Sequence, residues 1–231
     1  MNVRMGLICR KSDWSQGDFR TYWRENHSRL AARAPGLRGY WQNHVTERMQ
    51  RGIDFAQGPW QFDGLSQLWF DGLAQANSAF SEGKLAADLI ADENYFIGTL
   101  SIVTAKQREV IKIPDAPQRA HLLKRMSTLK RRPDLSEKDF RHEWHAHGAY
   151  VREMPGVSGY RQNVIVAREL SKGTSCGYQD LPIDGIVELW FKDEATLEAA
   201  FASRQGRTTM AHAKTFLQEI TAFVVEEHRA V

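Results

Sequence analysis

The chain has 231 residues, of which 42% are hydrophobic and 26% charged, with a formal net charge of +3. This composition suits an ordinary globular chain and excludes a strongly basic nucleic-acid binder. Two cysteines give no disulfide framework, no run approaches the roughly 20 apolar residues of a membrane span, and the N-terminal apolar run is too short for a leader, so the cytoplasm is the expected compartment.

Along the chain, Val3 to Arg10 is a short β-rich run. Ser15 then stands three residues before Asp18, the pattern of a helix N-cap with an acid in the first turn. Phe19, Tyr22, Trp23, His27, Leu30, Ala31 and Ala34 follow at helical spacing and form one apolar stripe, stopped by Pro35-Gly36. Gly39 to Thr46 reads as a strand, Glu47 to Phe62 as a long loop and Gly64 to Phe70 as a strand. Helical segments are expected around Leu73 to Phe80 and Leu85 to Asn94, and a last strand over Leu100 to Lys106. Gln107 to Arg119, with Pro114 and Pro117, reads as a linker.

The second half repeats this order. Asp18-Phe-Arg returns as Asp139-Phe-Arg, a shift of 121. The nine residues from Pro35 return from Pro155 with six identical, and the eight from Asp63 return from Asp184 with five identical. The second copy supplies a strand over His121 to Lys130, a helix carrying Phe140, Trp144, His147, Val151 and Met154, and a strand over Gly159 to Ala167. A loop over Arg168 to Ile183, a strand over Gly185 to Phe191, helices over Glu194 to Ser203 and Thr208 to Leu217, and a strand over Ile220 to Glu227 complete it. The expected units are therefore residues 1–106 and 120–231, joined by 107–119, each a ferredoxin-like βαββαβ repeat in an α+β fold. Their strands are apolar at both parities, so each sheet needs cover on both faces. Two antiparallel sheets packed face to face as an intramolecular barrel satisfy that need.

The series Phe19-x-x-Tyr22-Trp23-x-x-x-His27, Pro35-Gly36, Tyr40-x-Gln42-Asn43-His44-Val45 and Asp63-Gly64-x-x-Gln67-Leu68-Trp69-Phe70 resembles the EthD domain, a family of the dimeric α/β-barrel superfamily. The resemblance covers nearly the whole chain as two copies. It implies a ferredoxin-like barrel and a small hydrophobic or aromatic organic ligand. Relatives include isomerases of muconolactone-type intermediates and tailoring enzymes of aromatic polyketides. The second copy departs from the pattern: two residues rather than three separate its Trp144 and His147, and Val164, Glu188 and Glu143 replace His44, Gln67 and Tyr22.

His27, on an apolar stripe, is the first candidate for proton transfer, because imidazole titrates near neutral pH. The alternative is a core histidine bonded to a backbone carbonyl. Tyr40, Gln42 and His44 alternate along one strand face, where Tyr40 could donate to a developing oxyanion and His44 could take a proton. They could equally be inter-sheet hydrogen-bonding residues. Trp23, Gln67 and Trp69 are candidate pocket walls, with His147, Tyr160, Glu188 and Trp190 as second-copy counterparts. Glu188 on a buried face needs a partner or a raised pKa, and in the latter case could act as a base. Cys9 reads as a small core residue, and His142 and His145 as a solvated helix face. No metal set and no nucleotide-binding loop is recognised, so no cofactor is expected. Arg131-Arg132 and Lys124-Arg125 read as solvated basic pairs.

These readings favour a cofactor-independent isomerase or lyase acting on a small aromatic or lactone-like metabolite. A monooxygenase, cofactor-free or haem-dependent, is the alternative, and a non-enzymatic hydrophobic-ligand-binding or assembly module a third. Neither nucleic acid nor membrane is an expected partner, and the sequence leaves homodimer formation open.

Overall fold

The computed structural model describes residues 2–72, 80 and 83–231. The first repeat comprises β1 (Asn2–Arg10), α1 (Gln16–Tyr22), a π-helical turn (Trp23–His27), α2 (Ser28–Ala31), β2 (Leu37–Glu47), β3 (Gly64–Phe70), α3 (Gly83–Phe96) and β4 (Ile97–Ile111). A short α4 (Ala116–Arg119) leads to the second repeat. That repeat comprises β5 (Leu123–Arg131), α5 (Glu137–Arg152), β6 (Val157–Ser171), β7 (Thr174–Ser175), β8 (Gly185–Phe191), α6 (Glu194–Ala202), α7 (Arg204–Ala213) and β9 (Leu217–Arg229). The segment expected as a helix around Leu73 to Phe80 lies almost wholly outside the described residues. The strand ending the first repeat runs on through Gln107–Ile111, residues read from sequence as linker, because they continue to pair with β6.

The caps form as their sequence requires. Ser15 Oγ accepts from the Asp18 amide at 3.0 Å and Ser136 Oγ from the Asp139 amide at 3.1 Å. The shift between copies is 121 at Trp23/Trp144 but 120 at His27/His147, so the first helix holds one extra residue. It is absorbed in the π turn, where the Ser28 amide reaches back to the Trp23 carbonyl. Without that turn the extra residue would rotate everything after it by about 100°. With it, Trp23 and His27 both stay buried, as Trp144 and His147 do.

The strands lie in the order β4-β1-β3-β2-β9-β5-β8-β6, with β7 beside β6, and a further β4–β6 pairing closes the sheet into a barrel. Every pairing of this ring is antiparallel. Each repeat thus contributes its strands in the order fourth, first, third, second. The two half-sheets do more than face each other, as expected from sequence; they also join along both edges. Met5, Leu7, Leu65, Val103, Met126, Ile165, Ile186 and Phe223 fill the barrel. Residues of opposite parity meet the helices: Ile8 packs with Phe19, Trp23 and Phe96, and Leu68 with Tyr40, Ala31 and Leu89.

The repeated Asp-Gly pair has a structural cause. A Cβ on Gly64 would lie 2.2 Å from the Trp23 ring, and one on Gly185 2.3 Å from the Trp144 ring. Asp63 accepts from the Arg10 amide at 2.9 Å and Asp184 from the Arg131 amide at 2.8 Å, fixing the end of each repeat's first strand. No helix among the described residues is long and apolar enough to cross a membrane. Gly64→Ala and Gly185→Ala are each expected to destabilise the protein by about 2 kcal/mol in chemical denaturation, because each indole is fully buried and packed against a phenylalanine, Phe19 or Phe140. Gly177→Ala, whose added Cβ meets nothing nearer than 3.5 Å, is the near-neutral control.

Candidate functional site

Each repeat encloses a cavity between its helices and the outer face of its sheet. The first, of about 40 Å³, is lined by Arg4, Trp23, His27, Tyr40, Glu93 and Lys172 among others. Lys172 belongs to the second repeat and is bonded to Glu93 at 2.6 Å. His27 is 6% exposed, and its Nδ1 lies 2.6 Å from Asp92 Oδ2. Asp92 Oδ1 accepts from the Tyr22 hydroxyl at 2.7 Å. Burial alone would raise the Asp92 pKa, but the hydrogen bonds from His27 and Tyr22 hold it below the ordinary value. Burial, then the bond to Asp92, pushes Tyr22 up to about 12. A carboxylate on Nδ1 fixes the proton there and makes Nε2 the basic nitrogen.

Tyr40 is fully buried, and burial keeps it a neutral phenol. Its oxygen accepts from Trp23 Nε1 and Gln42 Nε2, both at 3.0 Å, so its own proton is free to be donated. Gln42 Nε2 also bonds the Trp23 carbonyl at 2.8 Å, and Gln42 Oε1 accepts from His44 Nε2 at 3.0 Å. Tyr40, Gln42 and His44 therefore share the helix-facing side and form one chain of hydrogen bonds. His44, however, is not among the cavity's lining residues. It is 1% exposed with its ring 4.5 Å from that of Trp23, and burial, reinforced by His228, pushes its pKa down to about 3. The expected proton acceptor is a packed neutral histidine.

The second cavity, of about 50 Å³, is lined by the equivalent Arg125, Trp144, His147 and Tyr160. Gln162 Nε2 donates to the Tyr160 oxygen at 2.9 Å, as Gln42 does to Tyr40. The histidine's partner differs. His212 stands 120 residues after Asp92, and its Nδ1 lies 3.0 Å from His147 Nδ1. Glu143, in place of Tyr22, lies 3.8 Å from His212 Nε2. Burial, then His212, pushes His147 down to about 3.

Gln67, Trp69, Glu188 and Trp190 lie on the opposite strand parity, inside the barrel. Trp69 therefore does not join Trp23 and His27 in one pocket. It borders an open cavity of about 320 Å³ at one end of the barrel, with Trp41, Gln67 and Arg161. Gln67 and Glu188 occupy equivalent positions and meet each other, with Gln67 Nε2 donating to Glu188 Oε1 at 2.9 Å. Glu188 is no base. Burial pushes its pKa upward, but Lys124 Nζ at 2.8 Å and Arg161 outweigh it and hold the carboxylate well below the usual range. Lys124 and Arg125, read from sequence as solvated, are each 1% exposed. Lys124 finds Glu188 and Glu227, and Arg125 finds backbone carbonyls. Sequence reasoning missed Asp92, Arg4 and Lys124. Carrying the shift of 120 residues onto α3, anchored by Phe96 and Phe216, would have aligned Asp92 with His212.

A closed antiparallel barrel with helix-covered cavities in both halves defines a dimeric α/β-barrel protein built from one chain. The chain belongs to the EthD domain family, whose model matches residues 11–99 and 132–219. Its fold is similar to that of an anthrone oxidase-like protein, with a TM-score of 0.63 and 8% identity over 99% of this chain and 93% of that one. It is also similar to a candidate monooxygenase from Lactobacillus acidophilus NCFM, with a TM-score of 0.56 and 9% identity over 100% and 93%. A dye-decolorizing peroxidase from Bacteroides thetaiotaomicron VPI-5482 has a TM-score of 0.53 and 9% identity over 97% and 92%. No curated protein matches the sequence.

His44 and His147 have folded pKa values near 3 against an ordinary 6.5, so the unfolded chain binds more protons between those limits. Their contribution to stability is complete above pH 6.5 and is lost as pH falls toward 3. Denaturation midpoints measured across this window should fall less steeply for His147→Gln than for the unaltered protein. An unchanged slope would show that His147 titrates normally.

Proposed function

We propose that the first cavity is a proton-transfer site, and that the protein is a cofactor-independent isomerase or lyase acting on a small aromatic or lactone-like metabolite. One observation carries this reading: the Tyr22–Asp92–His27 chain exists in the first repeat and is replaced by Glu143–His212–His147 in the second. His27 Nε2 would remove a proton next to a carbonyl, with Asp92 holding the ring and stabilising the imidazolium that forms. The free proton of Tyr40 would meet the developing enolate oxygen. Trp23 supplies an apolar wall. The fourth-first-third-second strand order of each repeat supports reading each as a ferredoxin-like unit. A void of about 40 Å³ holds a few waters, whereas benzene needs roughly 150 Å³. A ring-sized substrate therefore enters by displacing the covering helices or Lys172.

A panel of aromatic ketones and unsaturated lactones in deuterated water, followed by proton NMR, tests the assignment. His27→Ala should slow exchange or isomerisation about 10²–10⁴-fold, as should Asp92→Asn to a lesser degree, with the fold retained. His147→Ala should leave the rate near that of the unaltered protein. Loss of activity on changing His147 but not His27 would move the site to the second repeat. The monooxygenase reading draws its support from the names of two structural neighbours. Oxygen uptake with an anthrone or hydroquinone, abolished by His27→Ala and unaccompanied by proton exchange, would replace the isomerase reading with that one.

A further inference from the structure

Arg4 and Arg125 stand at equivalent positions on the first strand of each repeat, 121 residues apart. Both are buried, at 7% and 1% exposure. Arg4 has a carboxylate partner: its Nη1 and Nη2 bond the two oxygens of Glu169 at 2.5 and 3.0 Å. Arg125 has no ion pair among the described residues. Met49 stands where the second repeat has Glu169, and it is exposed. Arg125 donates instead to the carbonyls of Arg51 at 3.0 Å and Gln50 at 2.5 Å, and its Nε is buried with no acceptor. The guanidinium also lies 5.0 Å from the centre of the Phe201 ring. Glu47, the carboxylate whose field reaches Arg125, is engaged by Arg51 Nε and Nη2. Carbonyl dipoles and a ring face carry only partial charge, so the guanidinium has no direct counter-charge, and the carboxylate whose field it feels belongs to the group in which Arg51 bonds Glu47, Glu194 and Glu198. Burial pulls the Arg125 pKa down to about 9, which leaves it charged at neutral pH.

This guanidinium lines the second cavity, whose remaining wall is largely apolar and includes Leu129, Val187 and Leu189. The volume of about 50 Å³ holds a few waters and is about a third of a cavity of roughly 150 Å³ that takes benzene, so only a small anion fits without displacing the walls. We propose that the second cavity is a binding site for a short-chain monocarboxylate, acetate or propionate in size. Its carboxylate pairs with Arg125, and its alkyl group lies against Leu129, Val187 and Leu189. The ligand supplies the negative charge that Glu169 supplies to Arg4 in the first repeat. The site does not depend on the chemistry assigned to His27.

The intact protein is titrated with sodium acetate, propionate, benzoate and chloride at constant ionic strength, with thermal midpoint and tryptophan fluorescence as readouts. Acetate and propionate should give a saturable response, while benzoate and chloride should not. Arg125→Gln should weaken propionate binding at least tenfold, and Arg38→Gln, which changes an exposed arginine, should not. Equal responses to propionate and chloride would overturn the carboxylate assignment, and a matching response to benzoate the size assignment. Unchanged affinity in Arg125→Gln would overturn the site. Should that variant fail to fold, intermolecular NOEs from the propionate methyl to Leu129 and Val187 in the unaltered protein decide the matter, and their absence rejects the proposal.

Discussion

Closure of the sheet is the constraint on which the rest of the molecule depends. The last strand of each repeat serves two half-sheets: β4 pairs with β1 of its own repeat and β6 of the other, and β9 with β5 and β2. A four-stranded half left alone would expose two edges and one apolar face, both sources of aggregation. Joining the halves along both edges removes these liabilities together. It also makes each cavity composite. Glu169 and Lys172 of the second repeat reach Arg4 and Glu93 of the first, while Gln50 and Arg51 of the first reach Arg125 of the second. Neither repeat holds a finished site of its own.

Closure also brings equivalent positions face to face, and there the copies have diverged as a group. Where the first repeat has Val3, Gln67 and Gln107, the second has Lys124, Glu188 and Glu227. Lys124 Nζ contacts both carboxylates, at 2.8 and 2.6 Å, and the Asn43 amide oxygen at 2.7 Å. A single charge introduced at such depth costs several kcal/mol, whereas a bonded set recovers much of that cost. The change is intelligible only as a set, and it ties up Glu188 in structure rather than chemistry.

Much of this architecture was legible in the sequence, and the failures have specific causes. The repeated blocks gave two equal units, and the Ser-x-x-Asp caps and Pro-Gly stops bounded their helices. Strands apolar at both parities required cover on both faces. That same property hid which parity faces the helices, since Leu68 and Trp69 are both large and apolar. Only the register, which sets Tyr40 opposite Leu68, separates the cavity wall from the barrel lining. Asp92 was missed because α3 lies outside the three strongly repeated blocks. Lys124 and Arg125 look like a surface pair, yet adjacent strand residues point to opposite faces. One enters the barrel and the other a helix-covered cavity, and both were invisible as buried charges until their partners were in place.

The two cavities share a scaffold and differ in where negative charge sits. In the first, Glu169 answers Arg4, Glu93 answers Lys172, and Asp92 orients His27. In the second, His212 and Met49 occupy the places of Asp92 and Glu169, and both carboxylates are gone. The tryptophan, the tyrosine and the glutamine that braces it are retained in both, so the walls have not been rebuilt. In the first cavity Arg4 and Lys172 are both paired and Glu93 stands in the wall, which suits the uncharged carbonyl compound proposed above better than an anion. In the second, the buried Arg125 guanidinium, with no ion pair among the described residues, is the feature that suits the anion proposed above. The two copies keep the walls of the site, and the exchange of Asp92 and Glu169 for His212 and Met49 is the difference on which the two proposed ligand classes rest.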